Sequence, residues 1–333
     1  MARDDIVIRR LEVADAEALV HCFERCYEGT YPADAFRDPV DVAALVAGGR
    51  LRSVVAAAPT EGVIGHMGLT VRAPDALTAE AGNTVVDPRF RGHHLAARLA
   101  LELGRLAIET GLVGFQHYPT TAHPVMQKLA VQARGIEVGV LLDYIPAETR
   151  YVGFDVPSSA GRVAVVAVYE PLASAPARRV WLPARHREVI AALYERAGLA
   201  RDLEERADVL PPTDAGLSAH FEERRGLLRI VVESPGADLC ERVVSEATRR
   251  PGAPVLVDLS LADSAAGAAT ESLAGAGFFF GAVLPEYGAA GDVLRLQRCA
   301  AESPALRLAT PDARQLLAYA IADRRRSGTS ERV

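Results

Sequence analysis

Lysine is almost missing from this sequence: of its 37 basic side chains only Lys128 is a lysine, and the rest are arginine. Alanine is abundant as well, a pairing that reflects coding bias and carries no mechanistic weight. Cysteine is scarce. Cys22, Cys26, Cys240 and Cys299 are too few and too scattered for a disulfide framework, and no Cys-x-x-Cys pair occurs. That excludes a disulfide-built secreted scaffold and points to reduced thiols in a cytoplasmic protein. Long apolar runs are lacking too. No stretch approaches ~20 uninterrupted apolar residues, and Asp4, Asp5 and Glu12 stand where a secretory leader needs a basic start, so no membrane association is expected. Nor is positive charge in surplus. A net charge of -6 makes nucleic acid an unexpected partner, and a phosphate-bearing ligand has to be held by local arginines and backbone amides.

What is present is a globular composition: 333 residues, 50% of them hydrophobic and 24% charged, enough for two compact units each with its own core. Ile6 to Ile8 reads as a strand, and Ala14 to Tyr27 as a helix with Ala16, Leu19, Phe23 and Tyr27 on one face. Cys22 and Cys26 on that helix read as small apolar core residues. Asp34 to Gly48 suggests a second helix. Leu51 to Ala58 and Val63 to Val71 form an expected antiparallel hairpin about Glu61-Gly62. A strand from Glu80 to Val86 stops at Asp87-Pro88, and a helix from Gly92 to Thr110 carries Leu95, Leu99, Leu103, Leu106 and Ala107 at helical spacing. Strand Leu112 to Tyr118, helix Pro124 to Arg134 closed by Gly135, and strand Ile136 to Ile145 complete a β-α-α-β-β-β-α-β-α-β order.

The second half echoes the first. Val163 to Tyr169 reads as a strand, Pro183 to Gly198 as a helix, Gly226 to Glu233 as a strand and Asp238 to Arg249 as a helix. Strand Val255 to Leu259, helix Ser264 to Ala276, and strands Phe278 to Leu284 and Val293 to Gln297 follow. Val113 to Gly135 and Val255 to Gly277 show the same strand, loop, helix, glycine succession over equal separations, which reads as an internal duplication. The expected domains are 1–148, 160–300, and a C-terminal helix and tail over 301–333.

One junction carries chemistry. A strand that ends and at once begins a helix leaves backbone N–H groups without intrahelical partners at the positive end of the helix dipole. Here that junction is Asp87-Pro-Arg-Phe-Arg-Gly-His-His-Leu-Ala96. Gly92 permits close approach, Ala96 keeps the first turn uncrowded, Leu95 anchors it inward, and Arg89, Arg91 and Arg98 add charge for phosphate oxygens.

At these residues the sequence resembles the Gcn5-related N-acetyltransferase superfamily, whose acyl-CoA signature follows a strand ending in Val-x-Pro. Val86-Asp-Pro88 and then Arg91-Gly-His-His94-Leu-Ala96 match it, except that His94 stands where the family has its first glycine. The resemblance covers about residues 6 to 146, including Gly65-His66 and the His123 to Gly135 helix. It implies an α/β fold of two tandem domains, each a mixed, mostly antiparallel twisted sheet flanked by helices. It further implies that acetyl-CoA or another acyl-CoA is the co-substrate. Backbone groups of Thr84, Val85 and Val86 would pair with pantetheine, and amides of Arg91, Gly92, His93, His94, Leu95 and Ala96 would hold the pyrophosphate. No metal is required.

Acyl transfer to an amine needs a base, and an acid helps the thiolate leave. Glu80 is the base candidate, with Asp143 behind it. The family's tyrosine acid is replaced by Val131, so His117, Tyr118 and His123 are the candidate proton donors. In the second half Val231-Val-Glu-Ser-Pro-Gly-Ala-Asp238 puts a carboxylate where phosphate would sit, so that half is expected to have lost CoA binding. The resulting expectation is an N-acyltransferase for a small-molecule amine, with homodimerisation left open. A CoA-sensing or interaction module, using Phe278-Phe-Phe280 for a partner, and an acyltransferase fed by a carrier-protein thioester are the alternatives.

Overall fold

The computed structural model describes residues 6–154, 156, 161–204, 209–300 and 306–327. Asp4, Asp5, most of the 155–160 linker and both ends of the 301–333 segment lie outside the described residues. Contacts gather the chain into two units: Met1–Tyr118 with Ala147–Ala160 and Glu170–Ala173, and Pro119–Pro146 with Gly161–Tyr169 and Ser174–Val333. The elements are mixed α and β, with mostly antiparallel strand pairing flanked by helices, as the sequence leads one to expect. No described helix is long and apolar enough to cross a membrane.

The first unit holds β1 (Val7–Arg10), α1 (Ala16–Tyr27), α2 (Pro39–Ala47), β2 (Leu51–Ala58), β3 (Gly62–Thr70), β4 (Thr78–Val86), α3 (Leu95–Glu109) and β5 (Gly114–His117). Its strands lie in the order β1-β2-β3-β4-β5, antiparallel except for β4 with β5. One face is covered by α1. Leu19, Cys22, Phe23 and Cys26 are buried against Val42 of α2 and Leu51, Val55, Val63 and Val85 of the strands, so both helix cysteines are core residues. Each large apolar side chain buried in this way stabilises by roughly 1.5–3 kcal/mol as an upper bound. Residues 34–36 form a separate turn of 3-10 helix, and α2 starts only at Pro39. Asp38 sets that start, its side chain accepting from the Val40 N–H at 2.8 Å with proline in the first helical position.

On α3, Leu95, Leu99, Leu103, Leu106 and Ala107 are buried, as their spacing requires. A Cβ on Gly65 would come within 3.2 Å of Leu99, so that glycine lets the helix settle close on β3. The helix begins at Leu95, later than the apolar pattern suggests, because Gly92 (φ 82°) and His94 (φ 57°) are left-handed.

The second unit contains α4 (Val125–Gln132), β6 (Ile136–Ile145), most of β7 (Val163–Pro171), β8 (Arg178–Trp181), α5 (Arg187–Arg196), β9 (Arg201–Glu204), β10 (Gly216–Glu222) and β11 (Leu227–Ser234). It continues through α6 (Leu239–Thr248), β12 (Val255–Ser260), α7 (Ala266–Gly275), β13 (Phe279–Gly288), β14 (Gly291–Arg298) and α8 (Pro311–Ser327). Its main strands run β7-β6-β13-β14-β12-β11-β10, while β8 and β9 form a separate parallel pair. Phe278, Phe279 and Phe280 are buried, so they form core and offer no partner surface.

The hairpins β6–β7 and β13–β14 share their irregularities. Register shifts fall at Glu137/Gly139 and at Phe280/Ala282, and again after Leu141 and after Leu284. Asp143 and Glu286, at equivalent positions, both adopt positive φ, near 51°. Shared defects are stronger signs of duplication than shared regular structure, because a bulge has no reason to recur by chance. The two hairpins meet at the rung Gly139↔Ala282, itself a pair of equivalent positions. A Cβ on Gly139 would lie 2.1 Å from the Gly281 carbonyl oxygen, so only glycine fits.

Around that rung the buried Gln297 side chain replaces missing ladder bonds. Its amide donates to the Val140 and Phe280 carbonyls, each at 2.9 Å, and its oxygen accepts from the Leu142 N–H at 2.8 Å. Replacing it by an apolar isostere orphans three backbone groups, each costing about 1–3 kcal/mol when buried. Gln297→Leu should therefore lower the unfolding free energy of the second unit by roughly 2–4 kcal/mol. Urea denaturation monitored by circular dichroism checks this; a midpoint equal to that of the unchanged protein would dismiss the bridge.

Candidate active site

Strand β4 pairs with β5 through only four rungs, Thr78↔Gly114 to Ala81↔His117, and then continues alone to Val86. β5 itself ends at His117, and β4 is irregular on its other side. Between His66↔Val85 and Gly68↔Gly82, β3 advances two residues while β4 advances three, so β4 carries an extra residue. Asn83 absorbs it with a φ of 53°. Two side chains hold it there. The His66 Nδ1–H donates to the Asn83 carbonyl at 2.7 Å, and the Tyr31 hydroxyl donates to its Oδ1 at 2.8 Å. Because a carbonyl only accepts, Nδ1 must carry the proton. His66 is fully buried with its ring near Phe23 and Phe36, and burial pulls its pKa down to about 4. A bulge re-aims the strand that carries it, and this one falls just where β4 runs on past its last rung with β5, which ends at His117.

β4 feeds directly into the turn. Asp87 is fully buried, accepting from Arg25 at 2.5 Å and from the Arg89 backbone and side chain at 2.9–3.1 Å. Burial alone would raise its pKa, but the bonds from Arg89 and Arg25 outweigh it and hold the carboxyl at about 2. Beyond it, Arg98 is the first α3 residue whose N–H reaches a helical carbonyl, that of His94. The amides of Leu95, Ala96 and Ala97 therefore have no intrahelical acceptor and point out of the helix at its positive end. His93 and His94 are exposed beside them.

The turn's arginines are committed to the protein itself. Arg89 binds Asp87 and Glu61, and Arg98 donates to the Ile6 carbonyl at 3.0 Å. Arg91 donates to the carbonyls of Val86 and Val152, and its guanidinium lies 4.5 Å from the Phe154 ring centroid. Residues 147–154 are thereby strapped down, helped by Val152 N–H to the Cys26 carbonyl at 3.1 Å and Arg150 N–H to Thr30 Oγ1 at 2.8 Å.

Glu80 sits opposite Thr70 on β3 and Gln116 on β5. Register puts it on the face that α1 and α2 cover, two residues along from Gly68 and His66. His117, one rung further, faces the other way with Ala81 and Phe115. Tyr118 follows directly in the first unit; His123, half-buried, and Asp143, buried at the β6 bulge, belong to the second. Glu80, His117 and Tyr118 thus lie around the last β4–β5 rung, Glu80 and His117 on opposite faces of the sheet, and Thr84, Val85 and Val86 follow along the part of β4 beyond that rung.

A residue overlooked in the sequence joins them. Glu170, at the end of β7 and within the first unit, has its carboxylate 3.8 Å from His117 Nε2, with 15% and 12% of the two side chains exposed. Burial pushes Glu170 up to about 7 and His117 down to about 4. The available signal was a lone carboxylate closing the wholly apolar run Val163–Tyr169. Among the described residues no group of three or more His, Cys, Asp or Glu side chains is placed to hold a metal.

No family model matches this chain, and no curated protein matches it. Solved structures do. The chain is similar to the ribosomal-protein-S18-alanine N-acetyltransferase of Escherichia coli, with a TM-score of 0.41 and 17% identity over 51% of this chain and 96% of that one. It is similar also to a GCN5-related N-acetyltransferase from Kribbella flavida, with a TM-score of 0.38 and 23% identity over 51% and 99%. A spermidine N-acetyltransferase from Vibrio cholerae aligns with a TM-score of 0.39 and 14% identity over 51% and 95%.

The strand-to-helix junction of the second unit is built differently. β11 and β12 pair from Leu228↔Val255 to Val232↔Leu259. The start of α6 is covered by its own loop: Ala237 N–H bonds the Thr213 carbonyl, Asp238 accepts from the Ala215 N–H at 2.6 Å, and a Cβ on Gly236 would strike Thr213.

The bracing of the first turn has a pH signature. Asp87 has a folded pKa below its unfolded value near 4, so its contribution is complete above pH ~4 and lost as pH falls towards 2. With its arginine partners partly exposed, that contribution is on the order of 1–2 kcal/mol. Thermal melts should show the unchanged protein losing this margin between pH 4 and 2, while Asp87→Asn is less stable at pH 7 and flatter in that window; parallel curves would remove the assignment.

Proposed function

We propose that this protein is an acyl-CoA-dependent N-acyltransferase, with acetyl the expected acyl group, acting in the cytoplasm on an amine of a small molecule. The observation that carries the reading is the cleft between β4 and β5 leading to the uncovered amides of α3. A pantetheine arm lies alongside Thr84, Val85 and Val86, where β4 has lost its β5 partner. Its pyrophosphate meets the amides of Leu95, Ala96 and Ala97, with Gly92 giving clearance. Arg91, His93 and His94 shape the approach rather than supplying the main grip.

With the arm so placed, the thioester rests at the apex by the Ala81–His117 rung. Transfer there requires a neutral amine nitrogen to attack the acyl carbon and the C–S bond to break. Glu80, on the α1/α2 face, takes the amine's proton in this reading, while His117 and Tyr118 stand on the side from which the departing sulfur is protonated. His123 belongs to the second unit, and its role as a donor rests on the sequence resemblance alone. The second unit, with a closed ladder and covered helix start, serves as a degenerate copy in a tandem pair.

One acyl-CoA should bind per chain. Isothermal titration with acetyl-CoA should give a stoichiometry near one, and Ala96→Asp, which sets a carboxylate against the pyrophosphate, should weaken affinity about tenfold or more. Two sites per chain, or unchanged affinity in Ala96→Asp, would sink the assignment. Thiol release from acetyl-CoA in the presence of polyamine, amino-acid and aminoglycoside pools separates an enzyme from a module that only binds CoA.

A further inference from the structure

We propose that Glu170 is the positioning residue of a proton-carrying pair with His117, and that the pair supplies the proton taken up by the leaving CoA sulfur. The inference rests on the acyl-transfer reading above and adds to it a residue and a path for the proton.

The geometry is specific. His117 occupies the last rung before β4 departs, so it borders the apex of the cleft. The Glu170 carboxylate is 3.8 Å from its Nε2, and that nitrogen is buried with no hydrogen-bond partner other than this approach. Glu170 is held in register by the chain that follows it, since Leu172 and Ala173 both donate to the Val113 carbonyl, at 2.9 and 3.1 Å.

The surroundings isolate the pair from other charge. On its face of the sheet β4 presents Ala79 and Ala81, and β5 presents Phe115, whose ring centroid is 5.9 Å from that of the imidazole. Glu80 and Gln116 point to the opposite face. Burial is the sole cause acting on either group, and it favours the neutral form of both, Glu170 protonated up to about 7 and His117 unprotonated down to about 4. At neutral pH the pair therefore holds a proton on the carboxyl and a neutral imidazole beside it, a donor in reserve next to a carrier.

The step balances. As the amine nitrogen bonds to the acyl carbon and the C–S bond breaks, the sulfur takes a proton from one nitrogen of His117. The other nitrogen takes the carboxyl proton of Glu170. The amine's surplus proton goes through the base to solvent, and the Glu170 carboxylate regains one from solvent before the next cycle. The imidazole ends neutral, as it began.

Two readouts test this. In the full chain with 13C/15N-labelled histidine, the His117 ring signal, identified by its loss in His117→Asn, should shift with a midpoint near pH 7 that reports Glu170. Glu170→Gln should abolish that step, and Glu170→Asp should retain one. Persistence of the step in Glu170→Gln, or its absence in the unchanged protein, overturns the pairing without reference to any activity. With acetyl-CoA and whichever pooled amine supports thiol release, kcat should fall as pH rises through 7, because the carboxyl must be protonated. Glu170→Gln should lose about tenfold or more in kcat below pH 7, lack that limb, and keep its KM for acetyl-CoA within twofold. An unchanged limb refutes the proton role. If no amine is acylated while the NMR step behaves as expected, it is the acyltransfer reading that fails and the pair that stands.

Discussion

The first unit turns on one extra residue. Asn83 is squeezed into β4 in a left-handed conformation, fixed from two sides by His66 and Tyr31. A side chain other than glycine pays for such a backbone, and two hydrogen bonds plus a fully buried imidazole make the alternative worse. The consequences run along the chain. Below the bulge β4 is paired on both sides; above it the strand keeps only its β3 neighbour, ends at Val86 before the buried Asp87, and leads into the turn and the start of α3.

Much of this was legible in the sequence because it depends on period and on local chemistry. The leucines of α3 announced their buried face, Asp87-Pro88 announced the end of β4, and Gly92 announced the left-handed turn before the helix. What was not legible depends on register and on partners far along the chain. The end of β4–β5 pairing is a register fact, although Gly82-Asn83 inside a strand was the local trace of the bulge beside it. Arg89, Arg91 and Arg98 read as phosphate ligands by type, yet carboxylates and carbonyls of the same chain engage them. Glu170 became visible only beside His117. The four-residue strands β8 and β9 are too short to show a period at all.

The two hairpins are alike where the two strand-to-helix junctions are not. The hairpins β6–β7 and β13–β14 keep the same shifts and the same left-handed acidic residue. At the junctions, Asp87 is held by Arg25 and Arg89, whereas Asp238 accepts from the Ala215 N–H of its own loop. A fold of this kind tolerates loss of a site more readily than loss of a strand edge, because the edge has its backbone groups to satisfy.

The rung between Gly139 and Ala282 joins equivalent positions of two like hairpins, as the axis of a symmetric dimer would. Here both hairpins belong to one polypeptide. Their association is consequently independent of concentration: dilution cannot separate them and no second molecule has to be found. It also frees each copy from the demand that binds a true dimer, where every substitution appears on both sides of the axis at once. In this chain one side can change while the other is held constant.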